Sequence, residues 1–281
     1  MQNEQMSFDL NEDNLVVQSN MMIYANYDLS ALEQKIVLIL ISTIKKTDTG
    51  LNTLEFLVKD LSKLLNVSPE LLYRDLPKLC RSIMEKVIEI KQENGSWEMF
   101  NIISYAQYKA KEGRIILAIN KKAEPYLLEL QEFFTSYKLT NALNLSGKYS
   151  IRIYQLTKGC LYKGYYSCTV DEFKKMLKID KKKTYDKFGK ITEKILTPAI
   201  EEINKNSDLS VEYDTTRVGR KVEFINFKIS SKNSTNKKVS LQKIAEKHDP
   251  KSFDNFKHSK MYDDEVAMTN LENKLLGWDK E

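Results

Sequence analysis

Between Asp171 and Lys190 the sequence carries eight lysines against four acids. Ammonium groups at that density bind phosphate oxygens, and they do so best beside a helix N-terminus, where free amides and the positive dipole end add to the same field. Lys183, Thr184, Lys187, Lys190 and Lys194 are the side chains such an arrangement turns toward a polyanion. Arg217, Arg220 and Lys221 form a second group around Gly219, where a hairpin turn would lie against a backbone or minor groove. A sparser third group, Arg74, Lys78 and Arg81, recurs at helical spacing in the first half. Lysines on the outer face of an amphipathic helix are usually just a solvated surface, and an isolated cationic turn is usually an ordinary one. The elements beneath these residues therefore decide between the two readings.

Other chemistries lack their residues. Gly159 and Gly164 have the spacing of a phosphate-binding loop, but Tyr165 and Tyr166 stand where the lysine and hydroxyl are needed. A tyrosine nuclease needs a metal held by clustered histidines, and His248 and His258 lie apart near the C-terminal end. Acid pairs such as Glu12–Asp13 and Glu201–Glu202 have no partner that would make them an acid/base couple. Cys80, Cys160 and Cys168 form no C-x-x-C pair and read as reduced packing residues. The expectation is a binding protein with no catalytic constellation, no metal and no cofactor.

The element under the lysines begins at Thr169-Val170-Asp171-Glu172, a capping box that starts a helix. Val170, Phe173, Met176 and Leu177 share one face, and Lys178 to Asp180 reads as the break. A longer helix is expected from near Thr184, its stripe formed by Tyr185, Phe188, Ile191, Ile195, Ala199, Ile200 and Ile203, with Lys187, Lys190 and Lys194 pointing away. Pro198 should kink or restart it. A short helix, a lysine-loaded turn and a longer helix are the layout of a recognition pair entering a major groove.

The same layout occurs earlier in the chain. Val58 to Val67 lies over Val170 to Ile179 with its apolar positions coincident, and Ser68-Pro69 opens a longer helix with Leu72, Leu76, Leu79, Ile83 and Val87 facing inward and a kink expected at Pro77. Upstream, Asp28-Leu29-Ser30 lies over Asn144-Leu145-Ser146, each opening a helix. The first of these, through about Ile44, is apolar almost all round and so is either central to its domain or part of an interface. Its apolar surface looks too broad for one small core, which points to a dimer contact. Downstream, alternating runs at Val87–Lys91 and Trp97–Tyr108, joined by a turn at Glu93–Ser96, read as a hairpin, with a third strand at Arg114–Ile119. The hairpin lies over Leu209–Tyr213 and Lys221–Ile229, joined by Asp214 to Arg220. Lys109, Lys111 and Arg114 are the weaker counterparts of the second cationic turn.

Each half is thus helix, short helix, long helix, hairpin. The fold class is α+β: tandem duplicated winged-helix domains, helix-rich with small antiparallel wing hairpins. The expected organisation is an arm at 1–14, a first winged helix at 15–134, a second at 135–230 and a polar tail at 231–281. Leu15 to Tyr24 reads as a strand able to pair with a sheet edge, Ala123 to Phe134 as a helix and Thr135 to Thr140 as a linker. In the tail, Leu241 to His248 is at best a short helix, and Phe253, Phe256 and Trp278 are scattered without a period. Net charge is only +5, so a nucleic-acid partner is supported by where the charge sits. The polar start and the lack of a long apolar run predict a cytoplasmic chain with no membrane partner.

From about Leu15 to Ser230 the chain resembles the iteron-binding plasmid replication initiators, a family with two winged-helix domains. The resemblance is carried by Leu145-Ser146-Gly147-Lys148-Tyr149-Ser150-Ile151-Arg152-Ile153-Tyr154, by Tyr185, Phe188, Leu196-Thr197-Pro198 and Glu202-Ile203-Asn204, and more loosely by Asp28-Leu29-Ser30 through Gln34-Lys35-Ile36. It implies that the second domain supplies most sequence-specific contacts to double-stranded direct repeats at an origin, while the first adds backbone contacts and a dimer surface. It also implies a homodimer that represses its own promoter, in equilibrium with a monomer that opens the origin, and host replication proteins or chaperones as partners. Where relatives carry an arginine cluster, this helix has Thr192, Glu193 and Lys194. One monomer would span consecutive major grooves, its recognition helices about 34–36 Å apart. A winged-helix transcriptional repressor without a replication role is the alternative that the same residues serve.

Overall fold

Ser30 and Thr169 each accept a backbone N–H three residues on while Glu33 and Glu172 reach back, so both predicted capping boxes are formed. The computed structural model describes residues 11–91 and 95–232. The expected arm to residue 10, residues 92–94 of the first turn and the tail from residue 233 lie outside the described residues.

The first repeat consists of α2 (Ala31–Ser42), β2 (Thr53–Leu57), α3 (Val58–Leu65), α4 (Pro69–Glu85), β5 (Ile103–Lys109) and β6 (Arg114–Ile119). Ahead of it come β1 (Leu15–Ser19) and α1 (Asn20–Tyr24), and within it the hairpin β3 (Val87–Lys91) and β4 (Trp97–Asn101). After a short α5 (Glu124–Leu127), β7 (Phe134–Lys138) and α6 (Leu139–Leu143), the second repeat runs α7 (Lys148–Gly159), β8 (Tyr165–Thr169), α8 (Val170–Met176), α9 (Phe188–Ile191), α10 (Thr197–Asn206), β9 (Leu209–Val218) and β10 (Lys221–Ser231). Each repeat has a three-stranded antiparallel sheet in which the last strand is central, in the orders β2-β6-β5 and β8-β10-β9.

The duplication extends to single hydrogen bonds. Asn66 and Lys178, aligned by the sequence overlay, both adopt left-handed backbone, at φ 51° and 50°. Around them, Asn66 N–H donates to Lys63 C=O and Val67 N–H to Ser62 C=O, while Lys178 N–H donates to Lys175 C=O and Ile179 N–H to Lys174 C=O. Both short helices therefore end in the same left-handed cap. Asparagine accepts that conformation readily, whereas lysine holds it at a cost of ~1–2 kcal/mol.

Several expectations are corrected. Leu15–Tyr24 is a strand only to Ser19, because Ser19 then caps α1 through the Met22 N–H. The stretch expected as a linker is β7, which pairs antiparallel with β1, Leu15 opposite Lys138 and Ser19 opposite Phe134. The start of the first expected domain is thus hydrogen-bonded to the start of the second. Ala123–Phe134 is helical only through Leu127, and Glu129 and Phe133 have positive φ. Trp97–Tyr108 is not one strand: β4 pairs with β3, then the chain passes Ile102, fully buried, and β5 joins the other sheet. The wing of the first repeat is consequently β5–β6, and β3–β4 is an insertion with no counterpart in the second. Val87 is exposed on that insertion, whereas Leu72, Leu76 and Ile83 are buried on α4 as expected. Pro77 lies inside α4, which runs unbroken through it.

The broad apolar surface of α2 is spent inside the molecule. Ile36 through Ile41 are all buried, and α2 packs against α7, α6 and β1. In this fold α2 is covered by its own chain, so its breadth of apolar surface is accounted for without a dimer contact. The buried apolar residues of both repeats form one continuous core.

Candidate nucleic-acid interface

The second recognition helix starts later than its spacing predicts. Lys183–Tyr185 is a separate 3-10 turn, Lys187 is extended, and the helix begins at Phe188. Thr192–Leu196 then forms a π-helical turn in which Thr197 N–H donates to Thr192 C=O. Pro198 explains it: with no N–H two residues beyond Leu196, the regular ladder cannot close and one wider turn carries the chain past. Ile191, Ile195, Ala199, Ile200 and Ile203 are buried as expected, with Leu196 added by the π turn.

On the opposite side, Lys183, Thr184, Lys187, Lys190 and Lys194 are all exposed. Lys190 pairs with Glu193 at 2.7 Å, and that hydrogen bond holds the Glu193 carboxyl below its usual value. Among the described residues Lys183 and Lys187 take part in no ion pair, and the exposed Lys181, which the sequence reading counted but did not single out, resembles them. Two other lysines of the cluster are engaged elsewhere, Lys178 by Glu89 at 2.7 Å and Lys182 by Asp28 at 3.3 Å. No side chain caps the helix at Lys187, and a Cβ built on Gly189 would meet nothing within 4 Å. Open amides and free ammonium groups therefore share one surface.

The second wing is longer than expected. Asp214 to Val218 belongs to β9, which stays paired with β10 to Val218 opposite Lys221. Only Gly219 and Arg220 make the turn, with Gly219 at φ +62°, as a two-residue hairpin with glycine first requires. From Asp214 to Lys221 every residue is exposed, so the tip projects beyond the core with Arg217, Arg220 and Lys221 on it. Lys221 lies 3.9 Å from Glu223, its only acidic neighbour at ion-pair distance among the described residues.

In the first repeat half of the corresponding charges are consumed: Arg74, Lys109 and Arg114 are paired, while Lys78, Arg81 and Lys111 take part in no ion pair among the described residues. Arg74, Lys78 and Arg81 are exposed on α4, but Asp75 takes Arg74 in two bonds of 2.8 Å. On the β5–β6 turn, Glu55 lies 3.2 Å from Lys109 and 3.8 Å from Arg114. This asymmetry gives the first repeat a weaker field than the second.

The motif residues prove to be scaffold. Arg152 is 3% exposed; its guanidinium stacks 3.9 Å over the Tyr27 ring and donates to the Tyr27 hydroxyl at 2.6 Å and the Ala25 carbonyl at 2.8 Å. Tyr27 in turn donates to Gln155, which donates to the Tyr137 hydroxyl. Glu202, from α10, accepts from the Ser146 N–H and hydroxyl, each at 2.6 Å, and the Gly147 N–H at 3.1 Å. It thereby fixes the start of α7 by taking the amide of its N-cap, Gly147, as the carboxylate of a capping box does. Asn204 exchanges both amide bonds with the Val211 backbone and so fixes the angle between recognition helix and wing. The sequence signal at these positions was specific, but it marked the frame rather than the contact surface.

Two helix-turn-helix units, each carrying a β-hairpin wing on one shared core, with exposed cations concentrated on the second, define a tandem winged-helix DNA-binding protein. The chain belongs to the replication-initiator family: the model described as Initiator Replication protein, WH1, matches residues 15–158, and that described as Initiator Rep protein, WH2, matches residues 169–229. A replication initiation protein of Escherichia coli is 26% identical over 225 residues, covering 76% of this chain and 69% of the relative. The PI protein of Escherichia coli is 29% identical over 205 residues, covering 60% and 66%. The chain thus spans about two thirds of each relative's length. Among solved structures, the crystal structure of Pi initiator protein in complex with iteron DNA matches with a TM-score of 0.63 at 23% identity, covering 80% of this chain and 100% of that one. That likeness speaks for the fold.

Proposed function

We propose that the chain initiates plasmid replication by binding direct repeats at an origin, as a binding protein rather than an enzyme. The observation that carries this is the exposed, largely unpaired cationic surface formed by Lys183, Thr184, Lys187, Lys190 and Lys194 together with Arg217, Arg220 and Lys221, in a member of an initiator family. The second recognition helix enters a major groove and its wing follows the adjoining backbone. Arg74, Lys78 and Arg81 add lighter phosphate contacts one turn away. In support of a working place on DNA, no helix among the described residues is long and apolar enough to cross a membrane.

A dimer that represses its own promoter belongs to the same proposal. With α2 internal, its contact passes to the outer face of β3–β4, where Val87, Met99 and Trp97 are 43%, 50% and 65% exposed and an apolar face of that kind on a soluble chain marks an interaction surface. Host replication proteins or chaperones are the further partners.

The test is protection of the DNA flanking the gene against cleavage. Regularly spaced protection over direct repeats supports initiation; protection of one inverted promoter site alone would make the protein a repressor. Relaxation of supercoiled origin DNA in divalent metal would show a nicking enzyme instead.

A further inference from the structure

Two acids of the first repeat grip the turn of the second helix-turn-helix. Glu89, on the outward face of β3, accepts from Lys178 at 2.7 Å, with Lys91 at 3.5 Å on its other oxygen. Asp28, just before α2, lies 3.3 Å from Lys182 and 2.7 Å from Lys148. The two acids share one ledge, because Asn26 and Glu89 exchange both backbone hydrogen bonds, at 2.9 and 3.1 Å. The inner face of β3–β4 is anchored by the buried Ile88, Ile90 and Phe100. Lys178 and Lys182 lie near the start and at the middle of the connection between α8 and the second recognition helix, so the ledge holds the first half of that connection.

The grip is built from features peculiar to one repeat. The β3–β4 hairpin is the insertion that the second repeat lacks. At the aligned left-handed position the first repeat has Asn66, a residue type suited to that backbone, while the second has Lys178, whose side chain reaches the hairpin. The Glu89 side chain is 16% exposed and that of Lys178 36%, so the pair is only in part removed from solvent screening.

We propose that Glu89 and Asp28 are positioning residues that set the separation and phase of the two recognition helices, and with them the repeat length the protein accepts. The inference rests on the repeat binding proposed above. A duplex presents its grooves at a fixed rise and rotation, so a second reading head that shifts loses contacts at one site unless the spacing shifts with it.

The competing role is masking, in which the acids merely keep Lys178 and Lys182 from phosphate. The two roles predict opposite results. The full chain is titrated against duplexes carrying one protected repeat, and against the same repeat with one or two base pairs inserted between the two groove contacts. Wild type is expected to bind the natural spacing best. For the double variant Glu89→Gln, Asp28→Asn, affinity for the natural spacing is expected to fall roughly three- to tenfold, and the insertion penalty to shrink by a similar factor at unchanged salt slope. Lys178→Asn, which keeps a residue suited to the turn, is expected to shrink the penalty likewise, and Glu89→Lys combined with Lys178→Glu to restore it. An unchanged penalty in all variants overturns the proposal. So does tighter binding with a slope steeper by about one per freed lysine, which is the masking result. If wild type protects no repeat, the proposed function falls first and takes this inference with it; if it protects repeats and the penalty does not move, only this inference falls.

Discussion

Glu202 does for α7 what Glu33 does for α2, accepting the N-cap amide, but from a different helix. Burial pushes its carboxyl up, yet hydrogen bonds from the Ser146 and Ser150 side chains and from the amides of Ser146 and Gly147 hold it below the usual range. A carboxylate lowered on folding contributes stability that is fully present above its unfolded pKa and is lost as pH falls through the folded one. Glu202→Gln is therefore expected to cost roughly 1 kcal/mol near neutral pH, the low end for a charged cap because the site is partly solvated, and the gap should close below about pH 4. Urea unfolding at both pH values reads it; an equal gap at both would mean that the charge is irrelevant to the cap. Among the described residues Lys187 has no acid to leave, whereas Lys190 must give up Glu193. Lys187→Ala should lower the slope of log affinity against log salt by about one, and Lys190→Ala by less. A Lys187→Ala protein with wild-type affinity and slope would remove Lys187 from the interface.

Among the elements, the second wing carries Arg217 and Arg220 in no ion pair among the described residues, with only Lys221 near an acid, Glu223. Arg217→Ala with Arg220→Ala is expected to weaken binding to all DNA sequences together and to lower the salt slope by about two, because a wing on the backbone neutralises phosphates without reading bases. The equivalent change on the first wing, Lys109→Ala with Arg114→Ala, should do less to DNA affinity, since Glu55 already occupies both cations. Salt-titrated binding of the two double variants compares the wings, and equal losses would contradict the asymmetry. The π turn at Thr192–Leu196 sits midway along the recognition helix and separates its lysine-bearing start from the half that Asn204 locks to β9.

For the whole molecule, the two repeats are stitched through buried groups. Arg152 of the second repeat's first helix is buried against Tyr27 and the Ala25 carbonyl, which precede the first repeat's first helix, and among the described residues no carboxylate pairs with it. Removing a buried, multiply hydrogen-bonded cation leaves its partners unsatisfied, so Arg152→Ala should destabilise the fold by roughly 3 kcal/mol. Because β1 pairs with β7 and the core is continuous, the loss should appear in both repeats at once. Native-state hydrogen exchange is the measurement: α2 and α7 are expected to share one opening free energy and to lose it together. Separate opening energies would show that each repeat folds alone.

What the sequence by itself determined was written in local spacing, most firmly where a cap fixed an element's start. Capping boxes at Ser30 and Thr169, the helix pair after Val58, and the overlay of Asn66 on Lys178 are properties of neighbouring residues, and those elements stand where their patterns put them. The split of Trp97–Tyr108 between two sheets was illegible because one alternating run suits either pairing partner, and partners are chosen by the core. For the same reason β7 read as a linker and α2 as a possible interface: a strand's partner and a helix's cover come from distant residues. Charge followed the same division. Sequence located the lysines, but only the fold decided that Lys178 and Lys182 are held by Glu89 and Asp28 while Lys183 and Lys187 have no ion-pair partner among the described residues, since an ion pair depends on distances through space that spacing along the chain does not encode.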